Sequence, residues 1–354
     1  MSRFLSIKYA DLEPYVPGEQ PQDQPYIKLN TNENAFPPHP SLSDAVAAEA
    51  GKLQLYSDPE SRALRQTLAD YHQVSPEELI MSNGSDEVLN FAFMAFCDAH
   101  TPAVFPDVTY GFYPVFARIN QVPFRELPLR EDWAVEPRDY FHAAGTIFLA
   151  NPNAPTGIAL TRAQVEEILQ MNPYNVVVVD EAYVNFGAKS CVPLIREYDN
   201  LLVTRTFSKY ASLAGGRLGY GAACPELIAD LNAMRNSINP YNVNRMTAAA
   251  GISCLKDDAY YQRNCRQIQN IRSWTAGALK ELGFTLTDSL GNFLFARHPR
   301  IGGEELYVEL KKRGILIRHF RQERIQDYNR ISIGTRAQME KLVNTLKKLL
   351  EERA

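Results

Sequence analysis

From about position 60 onward, short apolar runs alternate with longer stretches in which apolar residues recur every three or four positions. The short runs are ELIMSN, PAVFPD, GTIFLA, NVVVVDEAY, NLLVTRTF and RLGYGAAC, and the longer ones SRALRQTLADYH, DEVLNFAFMAFC and TRAQVEEILQM. Strands separated by amphipathic helices predict an α/β domain with a mainly parallel sheet flanked by helices. NVVVVD is the clearest strand, because consecutive valines are buried on both faces only in the middle of such a sheet. The segment TRAQVEEIL begins with a Thr placed as a helix N-cap.

Beyond about position 245 the order changes. A long helical stretch (DAYYQRNCRQIQNIRSWTAGALKELG) precedes strand-like GNFLFAR, helical GEELYVELKKRG, strand-like ILIRHF and RISIGTR, and a closing helix MEKLVNTLKKLLEER. That order predicts a smaller α+β domain. The first thirty-odd residues, with EPYVPGEQPQDQPYIKLN, are rich in Pro and Gln and carry no helical period, so they read as an extended arm lying on another lobe or subunit. The expected division is 1–50 for the arm and part of the small domain, 51–245 for the large domain and 246–354 for the small C-terminal domain.

With 354 residues the chain exceeds what one hydrophobic core usually organises, in agreement with two lobes. Lys and Arg number 37 against 41 Asp and Glu, a net charge of -4, which supplies no field for nucleic acid or an anionic membrane. No apolar run approaches the roughly 20 residues that span a bilayer, and MSRFLSIKYADLEPY lacks the apolar core of a signal peptide. Five scattered cysteines form no CxxC pair and no metal spacing, so they read as reduced thiols of a cytoplasmic protein, with no metal site expected.

Ligands of α/β sheets bind at the carboxyl ends of the strands, so the polar residues that follow each strand are the candidates for chemistry. They are Asn83-Gly84-Ser85-Asp86-Glu87 after ELIMS, the NPNAPTG segment from Asn151 after TIFLA, Asp180-Glu181-Ala182-Tyr183 after VVVV, and Ser208-Lys209 after LLVTRTF. Lys209 by itself reads equally as a surface lysine, but Thr206, Ser208 and Arg217 cluster around the same strand end, Arg217 following a Gly-Gly pair. Hydroxyls, a guanidinium and an amine together describe a phosphate site with a nucleophile inside it. Gly84 and Ser85 open a helix whose amides suit the same phosphate, although Ser85, Asp86 and Glu87 are also ordinary helix-start residues. Asp180 is either a loop cap or a carboxylate that keeps a pyridinium nitrogen protonated.

In combination, GSDE, PDVTYG, NPNAPTG, VVVDEAY, RTFSKYASLAGGRLG and RISIGTR resemble the fold-type I pyridoxal-phosphate aminotransferases. The resemblance covers essentially the whole chain in order. PYVPG, LNTNENAFPP and the short length narrow it to the histidinol-phosphate aminotransferases. It implies pyridoxal 5'-phosphate held as a Schiff base on Lys209, with Lys209 shuttling the proton, Asp180 on the ring nitrogen and Tyr183 donating to the phenolate oxygen. It places Tyr110 against the ring, and Ser208, Arg217 and the backbone of Gly84 and Ser85 around the phosphate, with Asp86 and Thr206 further cofactor-binding candidates. Tyr56 of LQLYSDPE would reach the phosphate of a neighbouring subunit in a homodimer with shared active sites.

For the substrates, the resemblance implies that Arg330 binds the carboxylate of glutamate and the phosphate of histidinol phosphate in turn. Arg318, Tyr15, Asn32 and Asn292 are further candidates for the pocket wall. The implied reaction converts L-histidinol phosphate and 2-oxoglutarate to imidazole-acetol phosphate and L-glutamate in histidine biosynthesis. A threonine-phosphate decarboxylase or an aromatic amino acid aminotransferase would share the scaffold, as would a regulatory module fused to a DNA-binding domain, although the arm reads as too short and too Pro-rich for a helix-turn-helix. The chain departs from the family at Ala154, where an asparagine before Pro-Thr-Gly usually reaches the phenolate. Asn153, one residue earlier, is the candidate replacement, although successive side chains of an extended segment point to opposite sides.

Overall fold

The computed structural model describes residues 2–10 and 12–353. In chain order the strands are β1 (Ile27–Lys28), β2 (Leu79–Ser82), β3 (Ala103–Pro106), β4 (Phe124–Leu127), β5 (Thr146–Ala150), β6 (Val177–Asp180) and β7 (Leu201–Thr206). They continue with β8 (Gly219–Ala222), β9 (Thr285–Leu286), β10 (Phe293–Arg297), β11 (Ile315–Leu316), β12 (Arg318–His319) and β13 (Asn329–Ser332).

Seven strands form the large sheet in the order β2-β8-β7-β6-β5-β3-β4. Pairing is parallel from β7 through β4, and β8 runs antiparallel to both its neighbours. Strands β2, β3, β6, β7 and β8 are buried along their whole length, as consecutive apolar residues require when helices cover both faces. The core is divided by the sheet: Val177, Val179 and Val203 pack on one side, Val178 and Leu202 on the other.

Because β8 alone is reversed, its first residue, Gly219, lies at the same sheet edge as the last residues of β2 and β7. The register pairs Gly219 with both Ser82 and Thr206. A Cβ on Gly219 would stand 2.3 Å from the amide nitrogen of Ser85, so only glycine lets the strand pass the start of helix Ser85–Phe96. This close passage brings the phosphate-site candidates of two distant segments together.

The smaller sheet, β12-β13-β10-β9, is antiparallel, and β1 pairs in parallel with β11. The expected long helix is a single element, Asp258–Glu281, and the expected closing helix runs over Arg336–Glu351. Thr161 caps Arg162–Gln170 in a capping box with Gln164. Helix Ser41–Ala50 has no counterpart in the sequence reading; it has no buried residue and little apolar asymmetry, so no periodicity announces it. The arm lies on its own chain: Arg318 Nη2 donates to the Val16 carbonyl at 2.8 Å, and Tyr15 stacks on Phe112 at 4.2 Å. All five cysteines are buried and free. Among the described residues no helix is long and apolar enough to cross a membrane.

Candidate active site

At the carboxyl edge of the large sheet lies a cleft of about 530 Å³. Its walls include Ser85, Asp86, Tyr110, Asp180, Tyr183, Thr206, Ser208, Lys209 and Arg217. These nine were all expected from the sequence, and they come from five segments gathered by the sheet topology.

Lys209 sits in the single helical turn Phe207–Tyr210 that follows β7. Thr206 caps that turn, its hydroxyl accepting from the Ser208 amide at 3.1 Å and donating to Ser208 Oγ at 2.9 Å. The Lys209 amine reaches the Thr31 carbonyl at 3.4 Å and lies 6.0 Å from the centre of the Tyr183 ring. Asn34 Nδ2 anchors the lysine's own backbone carbonyl at 2.9 Å.

Asp180 ends β6, 4% exposed. The hydroxyl of Thr204 and the amide of Ala182 both donate to its Oδ1 at 3.2 Å. Among the described residues no cation pairs with it. Burial, and next the nearby Asp86 carboxylate, push its carboxyl up to about 7. The carboxylate form therefore lacks a positive partner that a protonated ring nitrogen would supply.

Asp86 organises the other end of the cleft. It accepts from the Tyr110 hydroxyl at 2.6 Å and from Arg217 Nη2 at 3.2 Å, so its side chain holds two cleft residues. Burial, and next the negative charge of Asp86, hold the Tyr110 hydroxyl well above its ordinary value, so it stays protonated. Gly84 has φ +86°, and a Cβ there would lie 2.5 Å from Arg217 Nη2; the guanidinium lies flush against the loop. Gly215 and Gly216 lie in the turn before Arg217, the Gly216 amide donating to the Leu213 carbonyl at 3.1 Å, while the left-handed residues are Ser212 (φ +55°) and Arg217 itself (φ +52°).

Asn153 is not brought to the cleft. Its amide donates to the Val108 carbonyl at 2.9 Å and to Thr156 Oγ1 at 3.1 Å, and its oxygen accepts from Thr109 at 2.7 Å. Ala154 lines the cleft instead. The expectation that Asn153 supplies the missing contact is thereby corrected. The physical reason is the bend and turn of residues 151–156, in which the Asn153 side chain is taken up by Val108, Thr109 and Thr156.

Arg330, on β13, donates Nη2 to the Asn30 carbonyl at 3.1 Å, while its Nε is buried without a partner. Its guanidinium lies 5.6 Å from the Phe293 ring centre, and that ring stands edge-on to Tyr183 at 5.0 Å, which joins Arg330 to the cleft. Burial pulls its pKa down, opposed chiefly by the neighbouring hydroxyls of Tyr183 and Tyr15, and no carboxylate is bonded to it. Arg318 faces Arg330 in the β12–β13 register but clamps the arm, donating to the carbonyls of Pro17 at 3.1 Å and Val16 at 2.8 Å. It lines an adjoining cleft of about 1140 Å³. Tyr15 is brought to 6.5 Å from Tyr110.

Asn32 donates to the Tyr183 hydroxyl at 3.0 Å, and Asn292 donates to the Asn32 carbonyl at 2.9 Å. Both stand behind the cleft wall rather than on it. Tyr56 is 79% exposed and stacks on Tyr241 at 4.5 Å, away from the cleft of its own chain.

Sequence reasoning passed over Thr204, Asn34 and Tyr113, whose hydroxyl is fully buried near Asp180. Thr204 had a signal: with Thr206 it places hydroxyls on one face of the strand. Asn34 and Tyr113 had none, because their roles depend on contacts far away in the chain.

The donor set fits pyridoxal phosphate part by part: hydroxyls, a guanidinium and helix-start amides for a phosphate, a buried unpaired carboxylate for a ring nitrogen, a tyrosine hydroxyl for a phenolate oxygen and an amine for an aldehyde. Fold and cleft together define a pyridoxal-phosphate-dependent enzyme of the fold-type I architecture. The aminotransferase class I and II family model matches residues 24–346. The chain is 44% identical over 349 residues to the histidinol-phosphate aminotransferase of Acinetobacter baumannii (strain AB307-0294), covering 98% of this chain and 97% of that one. It is 41% identical over 353 residues to the histidinol-phosphate aminotransferase of Clostridium botulinum (strain Kyoto / Type A2), covering 99% and 100%. The crystal structure of histidinol-phosphate aminotransferase from Sinorhizobium meliloti in complex with pyridoxal-5'-phosphate superposes with a TM-score of 0.91 at 25% identity, covering 100% of this chain and 99% of that one. The chain belongs to the histidinol-phosphate aminotransferases of the class I and II aminotransferase family.

Proposed function

We propose that the protein transfers the amino group of L-histidinol phosphate to 2-oxoglutarate, giving imidazole-acetol phosphate and L-glutamate, within histidine biosynthesis. The observation that carries the substrate reading is the partly buried Arg330 guanidinium, whose Nε is buried without a partner and to which, among the described residues, no carboxylate is bonded. A partly buried cation without a counter-ion suits an anion, and its planar fork fits a phosphate and a carboxylate alike. One residue thus serves both half-reactions.

Bound pyridoxal phosphate supplies an aldehyde that accepts the amine and a cationic ring that withdraws electrons from the carbon bearing it. The chain does the rest. Asp180 keeps a proton on the ring nitrogen. Ser85, Ser208 and Arg217 hold the phosphate, with Thr206 fixing Ser208 and Asp86 fixing Arg217 and Tyr110. Lys209 Nζ, just past the strand end, takes the proton from the substrate carbon and returns it. Tyr183 donates to the phenolate oxygen.

We further propose a homodimer in which Tyr56 reaches the partner's phosphate site. Its exposure, together with that of Leu53 (56%) and Leu55 (57%) and its stacking on half-exposed Tyr241, supports a covered surface in the assembly. The buried, free cysteines accord with a cytoplasmic setting.

A half-reaction screen tests the reading. Cofactor-loaded protein is mixed with histidinol phosphate, glutamate, O-phosphothreonine and aromatic amino acids while conversion to the pyridoxamine form is followed by absorbance. Conversion by histidinol phosphate and glutamate is expected. CO₂ release from O-phosphothreonine, or conversion by aromatic amino acids alone, would overturn it. Borohydride reduction followed by peptide mapping should place the cofactor on Lys209 and nowhere else.

A further inference from the structure

Behind Tyr183 stands a chain of polar groups whose hydrogen-bond directions can be assigned one after another. Ser332, on β13, accepts the backbone N–H of Asn32 at 2.9 Å and donates its single hydrogen to Asn32 Oδ1 at 2.8 Å. With the amide oxygen turned to Ser332, the Nδ2 end faces Tyr183 and donates to its hydroxyl oxygen at 3.0 Å. The opposite amide orientation would leave the Ser332 hydrogen without an acceptor at a residue only 4% exposed, which a buried hydroxyl does not tolerate cheaply. Tyr183 therefore receives a hydrogen on the small-lobe side, and its own hydrogen is free to point into the cleft it lines.

The frame around this chain is rigid. Asn32 has φ +54°, a backbone setting that asparagine adopts more readily than most residues, and is 1% exposed. Asn292 Nδ2 pins the Asn32 carbonyl at 2.9 Å, and the Phe293 edge holds the Tyr183 ring. The charged groups facing Tyr183 are Lys209, 6.0 Å from its ring, Asp180 at the end of the preceding strand, and Arg330 across Phe293. None of them takes the Tyr183 hydrogen. Ala154, which also lines the cleft, has no side-chain hydrogen to donate, so the direction of the Tyr183 hydroxyl weighs more.

We propose that Ser332 and Asn32 are positioning residues, a directional relay from β13 that fixes Tyr183 as a hydrogen-bond donor into the cleft and thereby sets the ionisation of the bound cofactor. The proposal rests on the reading that Tyr183 donates to the cofactor's phenolate oxygen. A donor to a phenolate stabilises its charged form and lowers its pKa. Strand β13 then carries both Arg330 and the first member of the relay, two residues apart on one face.

The test is a spectrophotometric pH titration of the protein loaded with pyridoxal phosphate, read from the visible absorption of the cofactor without turnover. Tyr183→Phe should raise the midpoint by about one unit. Ser332→Ala, which changes no charge, frees the Asn32 amide to turn and should raise it by about half a unit. Asn32→Asp offers two acceptors, diverts the Tyr183 hydrogen and should raise it about as far as Tyr183→Phe does. Asn32→Asp in the Tyr183→Phe background measures the added negative charge alone and should give a smaller increment. If Tyr183→Phe shifts the midpoint but Ser332→Ala does not, the relay is overturned and the Tyr183 contact stands; Ser332→Ala decides even where Asn32→Asp does not fold. If Tyr183→Phe itself leaves the midpoint in place, the Tyr183 reading fails and the relay with it.

Discussion

Asp180 at the end of β6 faces Thr204 across the β6–β7 register and accepts its hydroxyl at 3.2 Å, inside the sheet and without a cation. In the cofactor-free protein the carboxyl is pushed up to about 7, against the ordinary 3.8 of the unfolded chain. The native state keeps a proton that the unfolded chain has lost, so this group stabilises fully at low pH and the stabilisation disappears as pH rises through about 7. Asp180→Asn removes the dependence. In urea unfolding of cofactor-free protein, the variant should gain on wild type from pH 4 to pH 8 by at most about 4 kcal/mol. Parallel pH profiles for the two proteins would contradict the burial argument.

Asp86 holds Tyr110 and Arg217 through its two carboxylate oxygens. Its ion pair with the half-exposed Arg217 adds little by itself, so the effect of losing it should appear in binding rather than folding. Asp86→Ala is expected to weaken pyridoxal phosphate about tenfold to thirtyfold, measured by fluorescence quenching, through the loss of two placed groups. Tyr110→Phe should weaken it less. An unchanged affinity in Asp86→Ala would show that the ring and phosphate contacts place themselves.

Arg330→Lys keeps the charge and removes the fork. The value of kcat/KM should fall roughly 10- to 100-fold for glutamate and for histidinol phosphate together, since both anions use the same donors. Steady-state kinetics with each substrate measures this. A loss confined to one substrate would mean that the other anion binds elsewhere, with Arg318 in the adjoining cleft the first place to look.

Asn153→Ala removes three hydrogen bonds, two tying the segment 151–157 to Val108 and Thr109 and a third, to Thr156, within it. It should cost about 1–3 kcal/mol of stability in chemical unfolding and leave the cofactor's titration midpoint unchanged. Ala154→Asn should lower that midpoint, because position 154 lines the cleft and an amide there adds a donor. The reverse pattern would mean that position 153, and not position 154, touches the cofactor.

The local pattern of the chain determined its layers and the identities of most cleft residues. Residues that follow a buried strand must emerge at a sheet edge, so Lys209, Asp180 and Ser85 were legible as soon as β7, β6 and β2 were. The Thr161 capping box and the long helix Asp258–Glu281 follow from side-chain chemistry and periodicity within a few turns. Tertiary structure decided the rest. That β8 is reversed, so that Arg217 returns to the Ser85 helix, depends on strand pairing between residues about 140 positions apart, which no local pattern encodes. The facing of Asn153 and Ala154 turned on which neighbour, Val108 and Thr109 or the cleft, took the amide. Arg318 and Arg330 look alike in sequence at two strand positions, yet the arm's carbonyls claimed the donors of one and left the other with a free buried nitrogen. Asn32 and Ser332 lie 300 residues apart and share two hydrogen bonds. Contacts of this kind are set by how distant segments pack together, and a chain read from one end to the other carries no trace of them.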